Sequence, residues 1–366
     1  MKILVISTDY PDNGDNVACM FVHVRNLYYI KRGQNVSVVN FSLKGETEYI
    51  KDGIRVISVS RFKKECKEYD ILVSHAPNLR KHYPFIKKYG KKFSKIYLFF
   101  HGHEIVRLAS IYSQPFSFVR KNKIVEFFQA IYDNFKLLIW KRYIKKNIDK
   151  LHMVFVSKWF NETALSDLNI KKETIKNKYS IIYNPIDIIF IENSYDFECI
   201  KEYDFITIRS NLDNSKYGVD IVNRIAKNFP EYKFLVIGKG TYFDHNEKSN
   251  NLEWQNRTLS HEEMLRILNK SKFALMPTRT DAQGVMACEM ASYGIPLITS
   301  DIEICKEIFE SFDNVYFINN NFPFNDLKKI ISDFKDSKST DFQKNSEYFY
   351  ENTTEKELEL FQKSIK

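Results

Sequence analysis

The chain has 366 residues, 44% hydrophobic and 28% charged, with only 11 Gly and 9 Pro; that length allows two domains, and that composition excludes collagen-like, low-complexity and disordered classes. The formal net charge of +9 points towards anionic partners. The five cysteines, Cys19, Cys66, Cys199, Cys288 and Cys305, are odd in number and too scattered for a disulfide framework or a zinc site.

KILVIST (2–8) is a continuous apolar, β-branched run, which predicts a strand buried on both faces. A loop with Pro11 and Gly14 follows, then a helical pattern ending at Gly33 and a second strand at NVSVVNFS (35–42). That βαβ unit predicts a parallel sheet. IRVISVS (54–60), ILVSH (71–75), KIYLFFH (95–101) and HMVFVS (152–157) extend it, with a long helical stretch over 117–149. The alternation restarts after Asn184-Pro185-Ile186-Asp187. Strands are expected at FITIRS (205–210), KFLVIGKG (233–240), KFALMPT (272–278) and IPLITSD (295–301), separated by helices over 216–228, 260–271 and 284–293. The pattern predicts an α/β protein of two doubly wound, Rossmann-like domains, 1–187 and 188–344, with a charged helix over 345–366 able to return to the first. No run approaches the roughly 18 apolar residues of a membrane span, and a strand begins directly after Met1, so a cytoplasmic protein is expected.

The positive charge is concentrated. Residues 80–95 hold seven Lys or Arg and no acid, and residues 120–150 hold nine against Glu126, Asp133 and Asp149. Aromatics such as Phe93, Phe127, Phe128, Phe135 and Trp140 are interleaved. Such a surface suits the inner face of an anionic membrane, or a solvated charged face over an aromatic core; nucleic acid is the weakest of the three readings.

In open parallel sheets ligands bind beyond the carboxyl ends of the strands, so the residues just after each strand are the candidates. In PTRTDAQGVMACEMASYGIPLITSD (277–301) a strand gives way to a loop with Asp281, Ala282, Gln283 and Gly284, and a helix starts near Val285 and carries Glu289. Backbone N–H groups at such a helix start hold phosphate, Gly284 lets a ligand approach, and Glu289 can accept from ribose hydroxyls. Ordinary surface acids favoured by the helix dipole would look the same. Arg209 and Lys216, near the end of FITIRS, can neutralise a diphosphate. His101 ends KIYLFFH, and the neighbouring His103 and Glu104 lack further metal ligands at a recognisable spacing. Gly14 is a lone turn glycine. The absence of G-x-G-x-x-G and G-x-x-x-x-G-K-[ST] argues against dehydrogenases and P-loop enzymes.

Asp281-x7-Glu289, followed by Ala291-Ser292-Tyr293-Gly294-Ile295-Pro296, resembles the E-x7-E and E-A-M-A-x-G-x-P-V-I signature of family 4 retaining glycosyltransferases of GT-B fold. HEEMLRILNKSKFALMPT (261–278), IIYNPID (181–187), VSKWF (156–160), VIGKG (236–240) and SKYGVD (215–220) resemble other elements of that family. The resemblance implies two Rossmann-like domains facing across a cleft. It implies metal-independent, retaining transfer of a hexosyl-type sugar from a UDP- or GDP-linked donor, with no other cofactor. The acceptor would be a glycan or lipid-linked glycan in bacterial surface polysaccharide assembly, reached from an anionic membrane surface. By the same resemblance Glu289 holds the ribose, and Arg209 and Lys216 hold the diphosphate. Asp281, with the backbone of Ala282, Gln283 and Gly284, contacts sugar and phosphate beside the Val285 N–H of the helix start; His101 lies over the donor sugar; and Gly14 stands where the family has a glycine pair. Three further departures are evident. Asp281 replaces the usual Glu, Gln283 replaces the common Phe, and the long Arg-to-Lys spacing leaves Asn211 as an alternative to Arg209. A sugar-nucleotide 2-epimerase and a non-catalytic partner protein of the same fold are the competing readings.

Overall fold

The computed structural model describes residues 1–14, 18–65, 67–119, 122–336 and 344–363; Cys66 lies outside them. The chain forms two compact units. One comprises Met1–Leu108, Phe128–Ile186 and Tyr348–Lys366, the other Ala109–Phe127 and Asp187–Glu347. The segment 109–127, expected in the first domain, therefore groups with the second.

The first unit carries an eight-stranded sheet in the order β3-β4-β2-β1-β5-β6-β7-β8. Its strands are β1 (Lys2–Ser7), β2 (Asn35–Asn40), β3 (Glu48–Lys51), β4 (Ile54–Ile57), β5 (Ile71–His75), β6 (Lys95–Phe100), β7 (Leu151–Phe155) and β8 (Tyr179–Ile181). Apart from the antiparallel β3–β4 pair, neighbouring strands run parallel. IRVISVS is shorter as a strand than expected, because a helix begins at Val59. Helix α1 (Met20–Lys31) crosses from β1 to β2, and α2 (Lys123–Asn147) occupies the long helical stretch.

The second unit's six strands are β9 (Tyr203–Asn211), β10 (Phe234–Lys239), β11 (Leu252–Gln255), β12 (Ser271–Leu275), β13 (Leu297–Ser300) and β14 (Val315–Ile318). They are all parallel, in the order β11-β10-β9-β12-β13-β14. Counted within this unit that is the order 3-2-1-4-5-6, whose switch point lies between β9 and β12. Helices α3 (Val219–Asn228), α4 (His261–Asn269), α5 (Val285–Tyr293) and α6 (Glu303–Phe309) connect the strands. The α4 start is a capping box: Ser260 accepts from the Glu263 N–H and Glu263 accepts from the Ser260 N–H. In the core Phe205 stacks on Phe234 at 4.8 Å and on Phe273 at 5.5 Å, each such pair adding about 0.5–1.5 kcal/mol beyond its buried area. Phe116 packs on Tyr242 and Phe118 stacks on His245 at 4.4 Å, which accounts for the grouping of 109–127 with this unit.

The last helix, α7 (Thr354–Lys363), packs with the first unit. Its Glu357 is fully buried and accepts from Arg25 Nε of α1 at 2.9 Å and from the Tyr29 hydroxyl.

A candidate donor site at the switch point of the second sheet

β9 and β10 are out of step near their ends. Ile208 pairs with Ile237, but Asn211 pairs with Lys239, so Arg209 and Ser210 oppose Gly238 alone. Such a bulge bends a strand and re-aims a side chain. The close approach needs a glycine: a Cβ on Gly238 would sit 2.3 Å from the Arg209 carbonyl oxygen. Arg209 itself is 6% exposed. Its Nη2 donates to the Pro277 carbonyl at 2.8 Å beyond β12, and its Nε has no hydrogen-bond partner among the described residues. Burial pushes the guanidinium pKa down, and Asp281 offsets part of that.

Lys216 sits in a short 3-10 turn, Ser215–Tyr217, closed by Gly218 in the left-handed region at φ 62. The turn is pinned from the β12 side, where the Arg279 N–H and the Thr278 hydroxyl both donate to the Lys216 carbonyl, at 2.8 and 2.9 Å. The Arg279 guanidinium is held in turn by both Asp220 oxygens. Lys216 Nζ lies 4.0 Å from Asp281 Oδ1 and over the rings of Tyr217 and Tyr112, at 4.6 and 5.6 Å. Burial opposes its charge, yet Asp281 and the two tyrosines together hold its pKa above the ordinary lysine value.

Asp281 Oδ1 also accepts from the Ala282 N–H at 2.8 Å. Gly284, at φ 77, caps α5, so the loop turns sharply and presents the helix start. Arg209, Asp281, Gln283 and Gly284 line one small recess, which α6 closes with Cys305 and Phe309. Ala282 and Gln283 are buried and Val285 is half-buried. Two cations, one aspartate and a helix N-terminus thus meet at the switch point, where an anion gains from all but the aspartate.

Glu289 is 7% exposed and stands apart from that recess, on α5 beside Asp187 and His261. His261 Nδ1 lies 3.3 Å from Asp187 Oδ2. Burial raises the Glu289 carboxyl to about 7, against the pull of His261 and of a hydrogen bond from the Asp187 backbone. Burial opposes charge on His261, but Asp187 and Glu289 raise its pKa overall.

His101 and Gly14 belong to the first unit. A His101 ring nitrogen lies 3.1 Å from His75 Nδ1, and the ring packs on Phe21 at 4.5 Å. Burial, with Arg25 nearby, drives its pKa well below the usual histidine range, while a hydrogen bond with Asn184 works the other way, so it is neutral. Gly14 lies in an exposed turn, its N–H donating to Asp12 at 2.8 Å.

Of the residues named from sequence, Arg209, Lys216, Asp281, Ala282, Gln283, Gly284 and Val285 come together. Asp187, His261, Tyr112, Thr278 and Arg279 were missed. The capping box of α4 was the available signal for His261, since it sets that residue on the first helical turn.

The architecture is the GT-B class. Sucrose-phosphate synthase from Thermosynechococcus elongatus superposes with a TM-score of 0.72 at 12% identity, over 99% of this chain and 98% of that one. An Escherichia coli structure described as trehalose-6-phosphate bound with UDP-2-fluoro glucose gives 0.65 at 11% identity, over 100% and 99%. Residues 201–356, which take in most of the second unit, match the model of the family "Glycosyl transferases group 1". An uncharacterised glycosyltransferase of Methanocaldococcus jannaschii is 27% identical over 201 residues, 52% of this chain and 50% of the relative. An uncharacterised 41.2 kDa protein in the cps region of Klebsiella pneumoniae is 23% identical over 207 residues, 52% of this chain and 55% of that protein. The chain thus spans about half the length of the curated relatives it matches.

Proposed function

We propose that this protein is a retaining glycosyltransferase that moves a hexosyl-type sugar from a UDP- or GDP-linked donor to a lipid-linked glycan acceptor in surface polysaccharide assembly. The observation that carries the reading is Arg209: a buried guanidinium with an unpartnered Nε, lining a recess at the switch point beside the α5 N-terminus. A buried donor left unsatisfied costs about 1–3 kcal/mol, which a diphosphate oxygen would recover.

Departure of the nucleoside diphosphate builds negative charge on its oxygens. Arg209, Lys216 and the α5 N–H groups stabilise that charge as it grows, the largest single contribution such a site can make. Asp281 orients the sugar hydroxyls, and the leaving diphosphate takes the acceptor proton on the same face, so no metal is required. Glu289 accepts from the ribose hydroxyls.

Thermal melting with UDP, GDP, UDP-glucose and GDP-mannose, with and without EDTA, tests this. Stabilisation by one nucleoside diphosphate series, undiminished by the chelator, is expected. No stabilisation by any of them sinks the reading, and binding without turnover on lipid-linked acceptors favours the non-catalytic partner.

A further inference from the structure

Helix α2 is apolar on two opposite sides. Asp133, Leu137, Trp140 and Ile144 are buried beneath it. Lys136 fixes that inner face, donating to the His103 and Val106 carbonyls and to Asp133, at 2.8, 2.8 and 2.9 Å. The helix therefore cannot roll its outer residues inward. Those outer residues are Phe128, 63% exposed, Ile131, 49%, Tyr132, 37%, Phe135, 57%, and Leu138, 41%. At 3.6 residues per turn, Phe128, Ile131, Tyr132 and Phe135 fall within an arc of about 100°. The same arc continues into exposed Arg142 and Lys146, with exposed Lys145 beside it. All of these lie in the first unit. Monomeric soluble proteins rarely expose so continuous an apolar strip.

We propose that the Phe128–Lys146 face of α2 is a docking surface for an anionic lipid bilayer. In this arrangement α2 lies in the plane of the interface. The aromatic and aliphatic side chains enter the headgroup–acyl boundary, while Arg142, Lys145 and Lys146 meet lipid phosphates. Charge complementarity selects this occupant. A second copy of a chain carrying +9 would bring the same cations to the same face. Nucleic acid would meet Ile131 and Leu138, which cannot stack on bases. No helix among the described residues is long and apolar enough to cross a membrane, so the contact is peripheral. The inference is independent of glycosyl transfer, because lipid binding is read without any sugar donor.

Co-sedimentation of the full chain with phosphatidylcholine vesicles, with and without a quarter of phosphatidylglycerol, tests it. Binding to the anionic vesicles should exceed binding to the neutral ones at least tenfold and fall at least tenfold between 50 and 500 mM salt. Ile131→Ser/Phe135→Ser should lower partitioning about tenfold with the melting temperature unchanged, since both residues are exposed. Arg142→Gln/Lys145→Gln/Lys146→Gln, whose changes leave the buried face intact, should abolish the preference for anionic lipid. No binding to anionic vesicles, binding that neither variant weakens, or concentration-dependent dimerisation lost in the Ser variant would each overturn the proposal.

Discussion

Lys216 and Asp281 stand 4.0 Å apart on loops that follow different strands, β9 and β12. Asp281 supplies Lys216 with its counter-charge; on the proposed reading, an arriving diphosphate competes for the same ammonium. Asp281→Asn should therefore raise nucleoside diphosphate affinity severalfold while turnover drops. Lys216→Ala should cost about 10²–10³ in kcat, as loss of a transition-state donor does. Calorimetric titration of both variants checks this, and weaker nucleotide binding by Asp281→Asn would refute it.

Gly238→Ala should destabilise the second unit by about 1–3 kcal/mol, the usual cost of forced overpacking. The new methyl would meet the Arg209 carbonyl at 2.3 Å, a backbone atom that cannot swing aside. Urea denaturation reads the loss. Donor affinity should fall as well, because relieving the clash moves Arg209. An unchanged midpoint would mean that the bulge is not as tight as described.

Glu289 titrates near 7 in the folded protein against an ordinary 4.5. An acid whose folded pKa is raised holds its full stability contribution below pH 4.5 and loses it as pH rises through about 7, so the wild type should weaken over that window. Glu289→Gln has no proton to lose there. Relative to that variant, the wild type should forfeit on the order of 3 kcal/mol between pH 4.5 and pH 8. Parallel stability curves for the two proteins would exclude the shift.

Glu357→Ala leaves the buried Arg25 charge without its carboxylate and should cost about 3–5 kcal/mol. Glu357→Leu should do no better, because the stranded cation rather than the lost volume sets the penalty. Pairing Glu357→Leu with Arg25→Met should recover much of the loss. Guanidinium melts of the three proteins decide the matter.

The alternation of apolar β-branched runs with helical periods made the two parallel sheets legible, because strands covered on both faces read as unbroken apolar stretches. β3, β8, β11 and β14 escaped notice: all are short edge strands, none of them a continuous buried run. The Asp281–Glu289 segment was readable because loop, cap glycine and helix are contiguous. The Arg279–Asp220 clamp was not, since its partners lie 59 residues apart and only the fold brings them together. Glu289 and Asp281, one motif in sequence, stand in different surroundings because Asp281 lies in the loop before α5 and Glu289 in the second turn of the helix.

The Arg25–Glu357 pair, 332 residues apart, also sets the order in which the molecule can mature. A ribosome delivers the whole of the second unit, which ends at Glu347, before it delivers α7. Until then the nascent first unit holds a guanidinium that can be neither solvated once buried nor neutralised. The unit synthesised first is thus completed last, an inversion of the usual vectorial order of domain folding. A chain truncated before α7 would carry every residue of the second unit but leave Arg25 of the first without its carboxylate.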